Sequence, residues 1–316
     1  MLWKRCLTGA VAAVMLLSLA GCVDQNPAPV EDPASDTATT TEEQPRLVAT
    51  SGSVVAICDL LELDLVGCPT SSIEYYPRYA NATGVGGAMA PDMEIIASLH
   101  PTDVLGPDTL ESALADSYEA AGIPATFLNL RSVQGLYDSI TELGEKYGRQ
   151  EQAAAAVEEY EATVAELEKL RGDQEGPRVL VLMGFPGAYC EATDLSYIGS
   201  MVAMAGGVNV VQADEEFVYW NSEELAKLDP DYILWTCHAL REQTEKMFQE
   251  EFATNDIWSH FTAVQEGRIF AMDPSIFNMS ATFDWPEGLE WLYNLFSGDG
   301  AETETPTQIG SGEAAQ

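Results

Sequence analysis

With 316 residues the chain is too long for one small core and long enough for two lobes with unfolded tails. Its 14 lysines and arginines stand against 51 aspartates and glutamates, a formal charge of −37, which excludes nucleic acid and anionic lipid surfaces as partners. The acids are spread along the chain and not clustered at ligand spacing, so they serve solubility and do not form a cation store.

Lys4 and Arg5 lead into an apolar run from Cys6 to Ala20, too short to span a membrane comfortably and typical of a secretory leader. It ends at Leu19-Ala20-Gly21-Cys22, which matches the bacterial lipobox: cleavage before a cysteine whose thiol already carries diacylglycerol. Residues 1–21 are therefore expected to be removed. Cys22 would then be the lipidated, palmitate-bearing start of the mature chain, held at the extracytoplasmic face of the cell membrane by more than one acyl chain. Residues 22–45, rich in Pro, Thr, Ala and acids, read as a disordered tether, and 297–316 as a tail of the same kind. Once Cys6 leaves and Cys22 is lipidated, Cys58, Cys68, Cys190 and Cys237 remain. They form no CxxC pair and are expected to be buried free thiols, with Cys58 and Cys68 the only pair worth testing for a disulfide.

Between the tails, short apolar runs alternate with helical periods. Strands are expected at 47–50, 65–67, 103–105 and 126–128, and helices at 53–62, 92–99 (opened by Pro91), 108–121 and 132–147. That pattern makes a first lobe, 46–148, with a parallel sheet and helices on its faces. The stretch EQAAAAVEEYEATVAELEKLR then places Ala153, Val157, Tyr160, Val164 and Leu167 at three- and four-residue steps, one long helix within a bridging segment 149–175. The alternation restarts with a strand at 178–183, a helix at 196–205, a strand at 231–236, a helix at 240–253, a strand at 268–272 and a helix at 286–296. The fold expected is α/β: two Rossmann-like lobes, 46–148 and 176–296, joined by one long helix, with ligand bound in the crevice at the carboxyl ends of the strands.

His238, one of three histidines in the chain, lies just past the strand at 231–236 and so faces that crevice. Across it lies ATGVGGAMAPDMEII, where Gly86 and Gly87 allow a flat ligand close to the backbone and Met89 follows them. A loop histidine or a lone methionine is by itself ordinary. Facing each other they make an axial pair for haem iron.

The segments VGGAMAPDMEI, SLHPTDVL, PRVLVLMGFPGAY, ATDLSYIGSMVAMAGG and NDIWSHFTAVQ, together with the lipobox, resemble the IsdE-like haem-binding lipoproteins, the substrate-binding components of haem ABC importers. The resemblance runs from about Arg46 to Phe296 and places the methionine ligand at Met89 and the histidine ligand at His238. It implies transport of haem b without catalysis by a monomeric carrier, which would take it from an upstream donor and pass it to a permease and its ATPase.

It further implies that the GFPGAY loop, with Gly184, Gly187 and Tyr189, and the helix start at Ser196-Tyr197 lie near the haem edge, where backbone N–H groups would receive propionates; no arginine clamp is evident. Glu94 matches the first-lobe acid of a two-point permease contact, whereas Ala203 stands at the second-lobe position, with Glu215 or Glu216 as substitutes. Two departures stand out: Cys237 where relatives often carry proline, and His100 where they often carry lysine. Tyr75, Tyr76 and Tyr79 offer a rival ligation mode, since related periplasmic haem carriers bind iron through tyrosine. Trp220, Trp235, Phe277, Met279 and Phe283 are candidate apolar walls. The alternatives are a cobalamin or ferric-siderophore carrier or, from another class, a tetrapyrrole chelatase.

Overall fold

The computed structural model describes residues 44–171 and 176–297. The expected leader, Cys22 with its expected lipidation, most of the expected tether and nearly all of the expected tail lie outside the described residues.

β1 (Leu47–Ala49) is buried along its whole length, as a central parallel strand covered on both faces must be. α1 (Gly52–Leu60) starts where the Ser51 hydroxyl accepts from the Val54 N–H. β2 (Leu65–Cys68), α2 (Thr70–Ile73) and the short β3 (Thr83–Gly84) follow, then a hairpin of β4 (Gly86–Gly87) and β5 (Ala90–Pro91). Pro91 ends this hairpin and does not open the next helix. α3 (Met93–Ser98) is capped by Asp92, whose Oδ1 accepts from the Glu94 and Ile95 N–H groups at 3.1 and 3.0 Å.

β6 (Asp103–Pro107), α4 (Glu111–Ala121), β7 (Ala125–Leu128) and α5 (Val133–Tyr147) complete the lobe. α5 opens on the Ser132 hydroxyl and closes at Gly148, whose φ of +68° suits glycine. All neighbours in the sheet, ordered β3-β2-β1-β6-β7, are parallel.

α6 (Gln150–Arg171) is the expected bridging helix. It approaches α5 where both chains are small: a Cβ on Gly144 would stand 2.6 Å from that of Ala153. Val157, Tyr160, Val164 and Leu167 pack half-buried on the core, which confirms the stripe.

The second lobe is built on β8 (Arg178–Phe185). Its continuation departs from expectation. GFPGAY is a hairpin turn, with Phe185 paired to Ala188 and Gly187 at φ +81°, and the chain returns antiparallel as β9 (Ala188–Ala192). Pro followed by a left-handed Gly is the preference of a type II turn.

α7 (Tyr197–Met204), β10 (Val208–Asn209), β11 (Phe217–Val218), α8 (Ser222–Leu225) and β12 (Tyr232–Cys237) follow. The described residues close with α9 (Arg241–Thr254), α10 (Thr262–Gln265), β13 (Ile269–Ala271) and α11 (Trp285–Ser297). The sheet runs β11-β9-β8-β12-β13, with β10 also on β8. The α/β fold of two sheets and one bridging helix is therefore as expected.

One buried cluster continues from Leu47 and Leu105 in the first lobe through Ala153 in α6 to Val181 and Leu292 in the second. At its centre Tyr137 stacks on Tyr160 (centroids 4.2 Å apart), and the Trp285 Nε1–H donates to the Tyr137 hydroxyl at 3.2 Å. Helices α5, α6 and α11 are thus joined by one aromatic group. Cys58, Cys68, Cys190 and Cys237 are all free and buried, and burial raises each thiol's pKa, that of Cys190 to about 12.

Candidate functional site

The carboxyl ends of the two sheets face one another. Thr109, just past β6, shares a hydroxyl–hydroxyl hydrogen bond of 3.2 Å with Ser280 in the long segment after β13. The Ala281 N–H donates to the Leu130 carbonyl, just past β7, at 2.8 Å. Arg131 completes the bridge: Nε donates to Asp108 Oδ2 at 2.7 Å within its own lobe, and Nη1 lies 3.5 Å from Glu216 Oε2 in the other. These contacts close one end of the cleft and resist its opening.

His238 extends the sheet by one bond, its N–H donating to the Gly184 carbonyl at 3.0 Å. Cys237 before it is buried; His238 is exposed, its ring 5.8 Å from that of Phe185. The alternation of a strand turns the thiol inward and the imidazole outward. Burial also keeps the Cys237 thiol protonated, against a weaker opposing pull from Arg241, so it does not compete as a thiolate.

Met89 occupies the tip of the β4–β5 hairpin, where Gly87 pairs with Ala90 and leaves Ala88 and Met89 as a two-residue turn. Gly86 makes the hairpin possible: its φ is +88°, and a Cβ there would meet the Ala90 carbonyl at 3.1 Å, whereas Gly87 faces open space. The hairpin is tied to the sheet by the Val85 N–H on the Cys68 carbonyl and the Asp92 N–H on the Val85 carbonyl. Met89 is left 68% exposed. So exposed a thioether contributes little to the core.

Three other large exposed apolar side chains lie at these edges, whereas Leu195 and Val208 are exposed elsewhere. Tyr75 (80% exposed) lies past β2, Tyr219 (75%) just past β11, and Leu240 (58%) two residues beyond His238. Leu240 adopts φ +50°, a conformation that costs a non-glycine residue free energy. Tyr219 and Leu240 were not singled out by sequence reading, since FVYW and CHAL look like ordinary strand ends.

Several expected site residues sit elsewhere. Ser196 and Tyr197 are fully buried; the Ser196 hydroxyl accepts from the Gly199 N–H at 3.0 Å and donates to the Thr193 carbonyl at 2.7 Å. That end of α7 is already capped within the protein, so neither side chain has surface for a ligand. Tyr189 is half-buried against Phe248 and Trp258, and its hydroxyl donates to Glu251 at 3.0 Å. Trp235 and Phe277 belong to the core and are not cleft walls; Trp220, Met279 and Phe283 are half-buried.

Among the tyrosines, Tyr79 is buried, its hydroxyl donating to the Leu63 carbonyl at 3.0 Å, which removes it as a rival ligand. Tyr76 is half-buried. Glu94 is exposed in the first turn of α3. Glu216 is not a surface docking acid, since it pairs with Arg131 and its carboxyl pKa is raised by burial against that pull. Among the described residues no three His, Cys, Asp or Glu side chains gather to hold a bare metal ion, and no helix is long and apolar enough to cross a membrane.

Two α/β lobes with opposed carboxyl edges, one bridging helix and an apolar rim define the class of periplasmic-type solute-binding proteins. Residues 47–276 match the Periplasmic binding protein family, and the chain belongs to it. It is 36% identical over 256 residues to the high-affinity heme uptake system protein IsdE of Staphylococcus aureus (strain MRSA252), an alignment covering 80% of this chain and 88% of that protein. The crystal structure of S. aureus IsdE complexed with heme superposes with a TM-score of 0.76 at 35% identity, over 80% of this chain and 99% of that one. An ABC transporter substrate-binding protein from Listeria monocytogenes EGD-e does so equally well, with a TM-score of 0.76 at 37% identity, over 81% and 100% of the two chains.

Proposed function

We propose that this protein is a lipid-anchored, extracytoplasmic haem carrier that holds iron between Met89 Sδ and an imidazole nitrogen of His238 and passes haem to an ABC permease. The observation that carries the reading is the exposure of one soft and one nitrogen donor, Met89 on the first lobe and His238 on the second, with Tyr75, Tyr219 and Leu240 exposed as well. Two protein ligands leave a bare metal ion badly under-coordinated, so the iron has to bring its own equatorial nitrogens. A porphyrin does so, and its flat apolar faces suit exposed rings and a leucine. The likeness to IsdE, whose crystal structure contains heme, supports the same ligand.

Hemin titrated into the purified protein should give one equivalent of a sharpened Soret band. Met89→Ala and His238→Ala should each shift that band and weaken binding. If both substitutions leave spectrum and affinity unchanged, the assignment fails. A parallel titration with cobalamin and ferric siderophores, read by fluorescence quenching, separates haem from the other cargoes of this fold.

A further inference from the structure

We infer that the seam between α5 and α6 is a docking groove for a cationic amphipathic helix of a partner protein, a role independent of what the interlobe cleft binds. The two helices form a hairpin joined only by Gly148 and Arg149, and they close on each other at Gly144 and Ala153. Along the seam run two adjoining hollows of about 270 and 380 Å³, which share Thr141, Val157 and Glu161 and so make one continuous groove. Its α6 side extends from Gln150 to Glu168, a length of about 27 Å at the rise of a helix.

Floor and rim differ in kind. Val157, Tyr160 and Val164 lie half-buried at the bottom, and the exposed Ala154 and Ala165 have no side chain long enough to fill the space above them. Small residues at such a place let another helix approach to the about 8–10 Å of ordinary helix packing. The charged lining is acidic throughout: Asp138 and Glu145 from α5, and Glu158, Glu161 and Glu168 from α6, with no lysine or arginine. All of these acids are exposed, and among the described residues none has a cation within ion-pairing distance. Glu158 and Glu161 are three residues apart and so are neighbours on the helix surface, where their charges repel. Acids of both helices act on one ring: burial first, then Tyr137 and the charges of Asp138, Glu161 and Glu168, raise the pKa of the Tyr160 hydroxyl.

Charge excludes this chain as the occupant. Residues 22–45 and 297–316 carry acids and no lysine or arginine, and a second copy brings the same excess of acids, so each is repelled. A small polycation would meet the rim and leave the apolar floor in water. A partner helix with an apolar stripe flanked by lysines or arginines covers the floor, pairs with the rim and adds a third helix to the layer.

The test titrates the purified protein with a synthetic peptide of leucine and lysine, about 18 residues long to match the groove, its leucines at three- and four-residue steps, and with the same residues in scrambled order. Isothermal titration calorimetry should show one site for the ordered peptide and about tenfold weaker binding of the scrambled one. Ala154→Gln/Ala165→Gln fills the groove with neutral, helix-forming side chains, and Glu158→Lys/Glu161→Lys reverses its rim; each should weaken the ordered peptide about tenfold or more. Asp116→Lys/Glu119→Lys makes the same charge change at the same spacing on the exposed face of α4 and should bind that peptide as wild type does. Failure of the ordered peptide to bind, no preference for it over the scrambled one, an equal loss in the α4 variant, or unchanged affinity in the filled groove overturns the inference. So does a wild-type dimer in sedimentation that the filled groove abolishes, since the occupant is then a second copy.

Discussion

Arg131 of the first lobe lies 3.5 Å from Glu216 of the second while also gripping Asp108, so one guanidinium bridges an acid of each lobe. The cleft is therefore held at its end by charge as well as by the Ala281–Leu130 and Thr109–Ser280 hydrogen bonds.

Removing the cation leaves two carboxylates facing each other with nothing between them. Arg131→Ala should cost about 1–2 kcal/mol, less than a fully buried pair would, because Arg131 is 46% exposed and partly screened by solvent. Glu216→Gln should cost less than Arg131→Ala or even stabilise, since it removes a poorly solvated charge at nearly constant volume. Urea denaturation of both variants decides this; a larger loss in Glu216→Gln contradicts it.

Two carboxyls of the second lobe titrate against the usual trend. Burial raises the pKa of Glu191, although the Trp220 N–H donates to it at 2.9 Å, and burial likewise raises that of Glu216. For such a group the folded state holds the proton more tightly than the unfolded chain, so its stabilising contribution is complete in acid and is lost as pH rises through the folded value. The stability difference, wild type minus Glu191→Gln or minus Glu216→Gln, should fall as pH rises from about 4 to about 7. Thermal melts across that range measure it, and a difference that grows with pH would reverse the sign.

Gly184 lets α9 lie against β8. A Cβ at this position would stand 2.3 Å from Thr244 Cγ2 and 2.6 Å from Phe248. Gly184→Ala should therefore push α9 outward, cost about 1–3 kcal/mol, and weaken hemin binding by displacing the short segment that carries His238 into α9. Gly187→Ala meets no atom within 4 Å and strains only a φ of +81°, so it should cost about 1–2 kcal/mol by backbone strain alone and leave hemin affinity alone. Calorimetry and hemin titration on both variants separate crowding from backbone strain.

Thioether sulfur prefers reduced iron. Met89→Ala should weaken ferrous haem binding more than ferric binding and lower the reduction potential of the bound haem. Equal losses in a spectroelectrochemical titration would remove sulfur from the iron.

Much of the architecture can be read from local pattern. Runs such as Val179 to Met183 are apolar at every position because a central parallel strand is covered on both sides, and Ser51, Ser132 and Ser196 sit at helix starts because their hydroxyls cap free N–H groups. The rod α6 followed from the spacing of Val157, Tyr160, Val164 and Leu167. Strands of two residues, β3 and β10 among them, left no such trace, because too few side chains alternate to make a period.

At the site, position along the chain marked Met89 and His238 as candidates, since unusual residue types stood at strand ends. The same reasoning misplaced Ser196, Tyr197 and Trp235, because a polar or aromatic residue beside a strand end reads alike whether it turns inward or outward. Which way each one turns, and which acid Arg131 takes from the other lobe, depend on how segments far apart in the chain pack together. Composition and periodicity record the preferences of neighbours along the chain. Only the packed fold, by consuming some polar groups and exposing others, decided what remains to meet a ligand.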